Sequence, residues 1–330
     1  MTNELYGGLE DVILEAHGPD GLLPLVIEPW EAGLDLTAWL AGNAARVDAL
    51  LDRHGALVLR RFDLRGAADF ARAAAAIAPD VRVEPSGADA DPADRMVPFH
   101  NEGANRTAWP LRTLFLCLTP PRRGGATALV DGRALCRLLD REILDAFWDR
   151  CLLYVRTFTP GIDVPWQTFF GTSDPEAVEQ ACRAAGQRCE WTGSGALRVS
   201  RRGPGVVVHP RTGETTFFNE VQLHHVGRLD AETGGALRRL YGDGDLPRDV
   251  RFGDGSPIPD RFMERVATAC DALAVDLEWQ AGDVLVLDNL LVAHARRPYA
   301  GRYRVLTATG HLVRPGDVRQ VSSCPLAPSL

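Results

Sequence analysis

Apolar positions follow two periods along this chain. In LTAWLAGNAARVDALLDRHG (36–55) they recur at helical spacing and stop at a glycine, which predicts an amphipathic helix. The alanine-rich stretch 67–78 predicts a second helix, and GALVLRRF (55–62) a compact apolar strand between the two. From residue 112 the pattern changes. Segments 112–120, 151–158, 205–210, 215–220, 275–279, 283–289 and 304–313 are short, apolar and bounded by Gly or Pro, and they predict strands. Helical patches fall near 132–148, 174–186, 229–241 and 259–273. Many strands without β–α–β alternation predict a mainly β fold with flanking helices, a jelly roll (double-stranded β-helix), as one domain over 1–330. RVEPSGADADPADRM (82–96) is polar and rich in Pro and Gly, so it is expected to be a mobile loop, placed where an active-site lid could sit.

Composition narrows the function. A chain of 330 residues can bury a large core, and a net charge of −8 argues against broad nucleic-acid binding or an anionic membrane surface. All 36 basic residues are arginine, so no lysine Schiff base can form. The seven cysteines are scattered without a CxxC pair, which argues against a cysteine-built zinc site. The acidic N-terminus lacks a signal-peptide core, and no apolar run reaches membrane-spanning length. The expectation is a cytoplasmic protein with reduced thiols, acting on neither membrane nor nucleic acid.

Candidate chemistry begins at VPFHNEGANR (97–106). One residue separates His100 from Glu102, and on a strand that spacing points both side chains to one face. The best third ligand among eight histidines is His294, just after the apolar strand DVLVLD. Two histidines and a carboxylate on one face of a metal leave positions open for co-substrate and O2, the facial triad of non-haem Fe(II) oxygenases. Taken singly, each element also reads as structural: an HxE pair can simply hydrogen-bond, and a lone His can be a satisfied core residue. Two further elements change the weight. Arg304 follows on the next strand, and a tight glycine turn in PPRRGGATALVDGR precedes Thr127. A guanidinium and a hydroxyl together would hold the far carboxylate of a dicarboxylic 2-oxo acid.

The order HxE, GGxT, then GDVLVLDN…HAR…GRYR resembles the taurine dioxygenase/clavaminate synthase-like Fe(II)/2-oxoglutarate oxygenases over most of the chain. His100 and Thr127 stand 27 positions apart, the family's interval between metal histidine and 2-oxoglutarate threonine. PFHNEGANRTAWP, TGETTFFNE and VLVLDNLLVAHAR are most similar to the syringomycin-type amino-acid hydroxylase branch. The resemblance implies that His100, Glu102 and His294 ligate Fe(II). It implies that Thr127 and Arg304, with Arg302 as the alternative, bind 2-oxoglutarate. Asn101, Asn219 and Arg296 would line the substrate pocket or brace it, and Asp288 would stand behind the metal. Where the wider branch carries Gln, this chain has Glu220, beside the adjacent pair His224 and His225; Trp166 and Trp279 read as core.

The implied reaction couples decarboxylation of 2-oxoglutarate by O2 to hydroxylation of an amino acid or a related natural-product intermediate, free or tethered to a peptidyl carrier protein. The retained Glu102 carboxylate excludes the halogenase variant, which needs that position open. The competing readings are a catabolic oxygenase of a sulfonate or other small anion, a zinc hydrolase reusing the same ligands, and a non-catalytic jelly-roll binding module.

Overall fold

The computed structural model describes residues 7, 9–18, 22–78, 80–85, 92–159, 161–192, 196–242 and 244–318. The larger sheet contains β1 (Val12–Ala16), β2 (Leu25–Pro29), β3 (Ala56–Leu59), β4 (Arg82–Pro85), β6 (Trp109–Thr119), β16 (Val284–Asp288) and β19 (Arg304–Val313), hydrogen-bonded in the order β1-β2-β3-β16-β6-β19-β4. The smaller sheet contains β5 (Val97–His100), β8 (Thr127–Asp131), β15 (Val275–Leu277) and β17 (Val292–Arg296), in the order β15-β8-β17-β5. A further four-stranded sheet, β10-β11-β9-β14, is built from β9 (Leu152–Phe158), β10 (Arg188–Trp191), β11 (Leu197–Gly203) and β14 (Arg248–Phe252). Two short pairs complete the strands: β12 (Val206–Val208) with β13 (Thr215–Phe217), and β7 (Arg123–Gly124) with β18 (Tyr299–Ala300).

β16 shows why a continuous apolar run becomes a central strand. VLVLD is buried throughout, because both faces of the sheet are covered. Leu285 and Leu287 meet Leu129, Leu277 and Val292 of the smaller sheet, forming the core between the sheets. Val284 and Val286 point the other way, into a core shared with Leu40, Leu50 and Phe70 of the helices Leu36–His54 and Ala67–Ile77. Each such fully buried Leu or Val contributes about 1.5–3 kcal/mol of transfer free energy. The first helix is capped by Asp35, which accepts from the Ala38 N–H, and stops at Gly55 at φ 71°. Behind the smaller sheet, Ala128, Val130 and Ala295 pack on Phe147, Phe262 and Val266 from flanking helices.

Three expectations need correction. The helix expected over 132–148 is two, Gly132–Leu138 and Arg141–Arg150, because Leu139 turns extended at ψ 144°. Within the segment 82–96, Arg82–Pro85 is a strand paired with β19, and residues 86–91 lie outside the described residues. Cys117, Cys136, Cys182, Cys189 and Cys270 are free, but Cys151 is disulfide-bonded, so the expectation of uniformly reduced thiols does not hold for it. Among the described residues no helix is long and apolar enough to cross a membrane.

Candidate metal centre

β17 lies antiparallel to β5 with His294 directly opposite His100, and the two imidazole centroids are 4.3 Å apart. Glu102 arrives differently from the expectation. β5 ends at His100, and Glu102 sits in the turn beyond it rather than on the strand. Gly103 permits that turn at φ 66°. The fully buried Asn289 then clamps Glu102 by its backbone. Its Oδ1 accepts from Glu102 N–H at 2.7 Å, while its Nδ2 donates to Glu102 C=O at 3.0 Å and to Pro110 C=O at 2.9 Å. The outcome is convergent: ligand atoms of His100, Glu102 and His294 all lie within 4.8 Å of one another.

The protons and lone pairs of these groups suit a cation. His100 donates from Nδ1 to Pro98 C=O at 2.8 Å, which leaves the Nε2 lone pair free. His294 is buried, and its Nδ1 has no hydrogen-bond partner. Burial, with the neighbouring His100 second, holds His294 well below the ordinary histidine range, so it is neutral at neutral pH. No described residue donates a hydrogen bond or an ion pair to the Glu102 carboxylate. An orphaned buried imidazole atom beside an unneutralised carboxylate is a costly arrangement alone and a satisfied one around a divalent ion. The donor set of two nitrogens and one carboxylate fits Fe(II).

Thr127 opens β8 after the turn at Gly124 and Gly125, both at positive φ (65° and 75°). A Cβ at Gly124 would stand 2.3 Å from the Pro298 carbonyl oxygen, so only glycine fits there. The Thr127 hydroxyl is buried and accepts from Trp279 Nε1 at 3.0 Å; beside it, burial pushes the Tyr303 phenol pKa up. Arg296 stands opposite Thr127 in the β8–β17 register, with its guanidinium 5.1 Å over the Tyr299 ring and Nη2 donating to Pro92 C=O at 2.9 Å. The structure does not bring Arg304 or Arg302 to Thr127. Both are exposed, because they flank Tyr303 and side chains alternate: the tyrosine turns in and the arginines out. A register shift between Arg304 and Val305 adds to this.

Asn101 and Asn219 brace the backbone. Asn101 Nδ2 donates to Asn289 C=O at 2.8 Å, and its Oδ1 accepts from Asn219 N–H at 3.1 Å. Asn219 Nδ2 donates to Gly205 C=O at 2.9 Å. Glu220 is buried and pairs with His224 at 3.2 Å, while His225 bonds Ile258 C=O; neither histidine joins the triad. Asp288 accepts from Arg112 and His209. Sequence reasoning missed the clamp of Asn289 and the inward turn of Tyr303, and it assigned Trp279 to the core alone. The LDN tripeptide carried the only signal, since a polar pair closing a fully apolar strand needs buried partners.

Glu102 borders a cavity of about 300 Å³ that Arg82, Arg106, Thr307 and Thr309 also line. Of the three converging residues Glu102 is the one that lines it, so this open, partly polar space gives small molecules an approach to the carboxylate.

A model of the family described as Taurine catabolism dioxygenase TauD, TfdA family, matches residues 21–309. The dapdiamide synthesis protein DdaC of Enterobacter agglomerans is 32% identical over 217 residues, 66% of this chain and 66% of that protein. A clavaminate synthase-like protein of Arabidopsis thaliana is 28% identical over 325 residues, covering 89% of this chain and 95% of that one. Among solved structures, PvcB of Pseudomonas aeruginosa, described as an Fe, alpha-ketoglutarate dependent oxygenase from an isonitrile synthetic pathway, superposes with a TM-score of 0.54 at 18% identity, over 94% of this chain and 97% of that one. At that identity the likeness speaks for the shared jelly-roll fold.

Proposed function

This chain belongs to the TauD/TfdA family of dioxygenases, and from that premise we propose that it oxidises an amino acid or amino-acid-derived intermediate, free or carrier-tethered, in a biosynthetic pathway. It is an Fe(II)- and 2-oxoglutarate-dependent enzyme, and its substrate is a small molecule. The observation that carries the reading is the convergence of His100, Glu102 and His294 with one buried imidazole atom left orphaned. Similarity to a protein named for dapdiamide synthesis supports the biosynthetic setting.

His100, Glu102 and His294 would hold the iron. Bound there with 2-oxoglutarate and O2, it supplies the oxidising chemistry, which yields succinate, CO2 and an oxygenated product. The chain's own residues position and exclude. Asn289 fixes the Glu102 backbone, so the carboxylate does not have to be ordered when the ion arrives. Phe115, its ring 5.1 Å from that of His294, covers one side of the site against water. Thr127 would bond the distal carboxylate of 2-oxoglutarate. Arg296 is the arginine whose position opposite Thr127 suits the ionic half of that grip, because cross-strand partners share a face. On this reading Arg296→Met raises the 2-oxoglutarate requirement far more than Arg304→Met. The reverse ranking in a 2-oxoglutarate titration would return the role to Arg304.

The test uses anaerobic enzyme loaded with Fe(II) and 2-oxoglutarate, titrated with free amino acids, aminoacyl carrier proteins and alkyl sulfonates. Perturbation of the metal-to-ligand absorption band reports substrate entering beside the iron. Aerobic mass spectrometry then finds one added oxygen, matched by succinate. Coupled turnover of taurine, with none for any amino-acid-derived compound, would overturn the biosynthetic reading in favour of catabolism.

A further inference from the structure

A second cavity, of about 380 Å³, lies beside the first, and Arg106 lines both. Its walls carry four arginines, Arg106, Arg156, Arg201 and Arg248, and no carboxylate. Arg156 is already neutralised by Asp163, at 2.7 and 2.9 Å, and lies flat over Phe158 and Phe169. Arg201 is different. Its residue is 8% exposed, its guanidinium donates no hydrogen bond to any described residue, and its Nη2 is fully buried. Burial, with Arg106 as the second cause, brings its pKa down to about 10, which still leaves it charged at neutral pH.

A buried guanidinium without a counter-ion is unfavourable unless something else completes it. Arg201 sits on β11 opposite Tyr154 of β9, so its position is set by the sheet and not by a loop. Among the described residues none supplies an anion to it. The turn that carries Glu102 also carries Asn105 and Arg106, which line this cavity, and Arg106 joins it to the cavity that Glu102 borders. We propose that this cavity is the substrate pocket, and that Arg201, assisted by Arg106, anchors a free carboxylate of the substrate against the Phe158–Phe169 wall. The inference rests on the oxygenase reading above and narrows it: the substrate is an amino-acid-derived carboxylic acid whose carboxylate is not consumed in a thioester.

Hippurate is a suitable probe, because it joins a carboxylate to an aromatic ring of a size for that wall. Its binding to the Fe(II)·2-oxoglutarate enzyme is measured by calorimetry beside hippuramide and phenyl phosphate, in wild type, Arg201→Met and Arg201→Lys. The expected result is that hippurate binds at least about tenfold tighter than hippuramide, that Arg201→Met abolishes the difference, and that Arg201→Lys restores part of it. Arg201→Met should also melt no lower than wild type, since a buried unpaired charge has been removed. Equal binding of hippurate and hippuramide, or a discrimination that survives Arg201→Met, overturns the proposal. A marked fall in melting temperature would make Arg201 a structural residue, and preference for phenyl phosphate would assign the pocket to a phosphate such as that of a carrier arm. Absence of the metal-to-ligand band in every sample would instead sink the oxygenase reading itself, so the two failures are distinguishable.

Discussion

Two clusters in this molecule bring three candidate ligand atoms within 4.8 Å of one another: His100, Glu102 and His294, and Asp52, His209 and Asp288. By residue type they are nearly equivalent, and the second has one carboxylate more. Their surroundings separate them. In the second cluster arginines stand where a metal would. Arg112 pairs with Asp288 at 2.6 Å, both fully buried, and Arg211 reaches Asp52 at 2.6 Å. His209 spends both ring nitrogens, donating from Nε2 to Asp288 at 3.2 Å and accepting at Nδ1 from Thr212 N–H at 3.1 Å. In the first cluster no described residue forms an ion pair with Glu102, and His294 Nδ1 has no partner. Ligand type and spacing therefore do not identify a metal site. What identifies it is charge that the chain has left uncompensated.

The sharpest way to break this contrast is to remove a ligand from each cluster. His294→Ala or Glu102→Ala should cost more than the roughly 10–100-fold typical of changes outside a ligand set, in both iron affinity and turnover, with the fold intact. Equilibrium iron binding and succinate release check this. Asp288→Asn should act on stability instead. It leaves Arg112 buried beside a neutral amide with Asp48, at 2.7 Å, as its remaining partner, so the loss should stay below the roughly 3–5 kcal/mol of a fully broken buried pair. Urea denaturation reads that loss, while the molecules still folded keep their iron. If Asp288→Asn released iron at unchanged stability, the second cluster would be the metal site.

Asn289 links the two regions in sequence, being next to Asp288 and bonded to Glu102. Asn289→Ala should weaken iron binding by about 10–100-fold without changing the ligands. An unaltered iron affinity would mean that the clamp does not position Glu102.

The smallest effect is in pH. His294 has a folded pKa depressed below the ordinary 6.5, so its contribution to stability is present above that value and is lost as pH falls through it, when the unfolded chain takes up the proton that the folded one refuses. Asp288, held down to about 2 against an ordinary 3.8, contributes above 3.8 and loses that contribution as pH falls toward 2. The iron-free protein should thus lose stability as pH falls below 6.5, with the Asp288 loss added below 3.8. Just below 6.5 the slope should flatten in His294→Ala. Buried His54 and His225, also depressed, account for what slope remains. An unchanged slope in that variant would contradict the burial of a neutral His294.

Much of this was legible in the chain and some was not, for physical reasons. Strands covered on both faces, such as VLVLD, announce themselves because they are apolar without interruption. β17, VAHAR, does not: Ala295 packs on helices while His294 and Arg296 share the opposite face, so polar side chains interrupt the pattern. The triad residues were readable by type and order. Placing Glu102 on a strand was not correct, because its position depends on Asn289, 187 residues away. The 2-oxoglutarate arginine, expected at Arg304 or Arg302, is hard to read for the same kind of reason. Which of several arginines turns inward depends on sheet register, and Tyr303 takes the inward position. The uncompensated charge of Arg201 has no sequence signature at all, since it is defined by the carboxylates that are absent from its surroundings.

Whether one iron is held by His100, Glu102 and His294 is read from anaerobic titration of Fe(II) into the 2-oxoglutarate-saturated protein, following the metal-to-ligand band in wild type, His294→Ala and Asp288→Asn. Wild type should bind one iron per chain, folded Asp288→Asn the same, and His294→Ala should show no band. A full band with one iron per chain in His294→Ala would contradict that assignment.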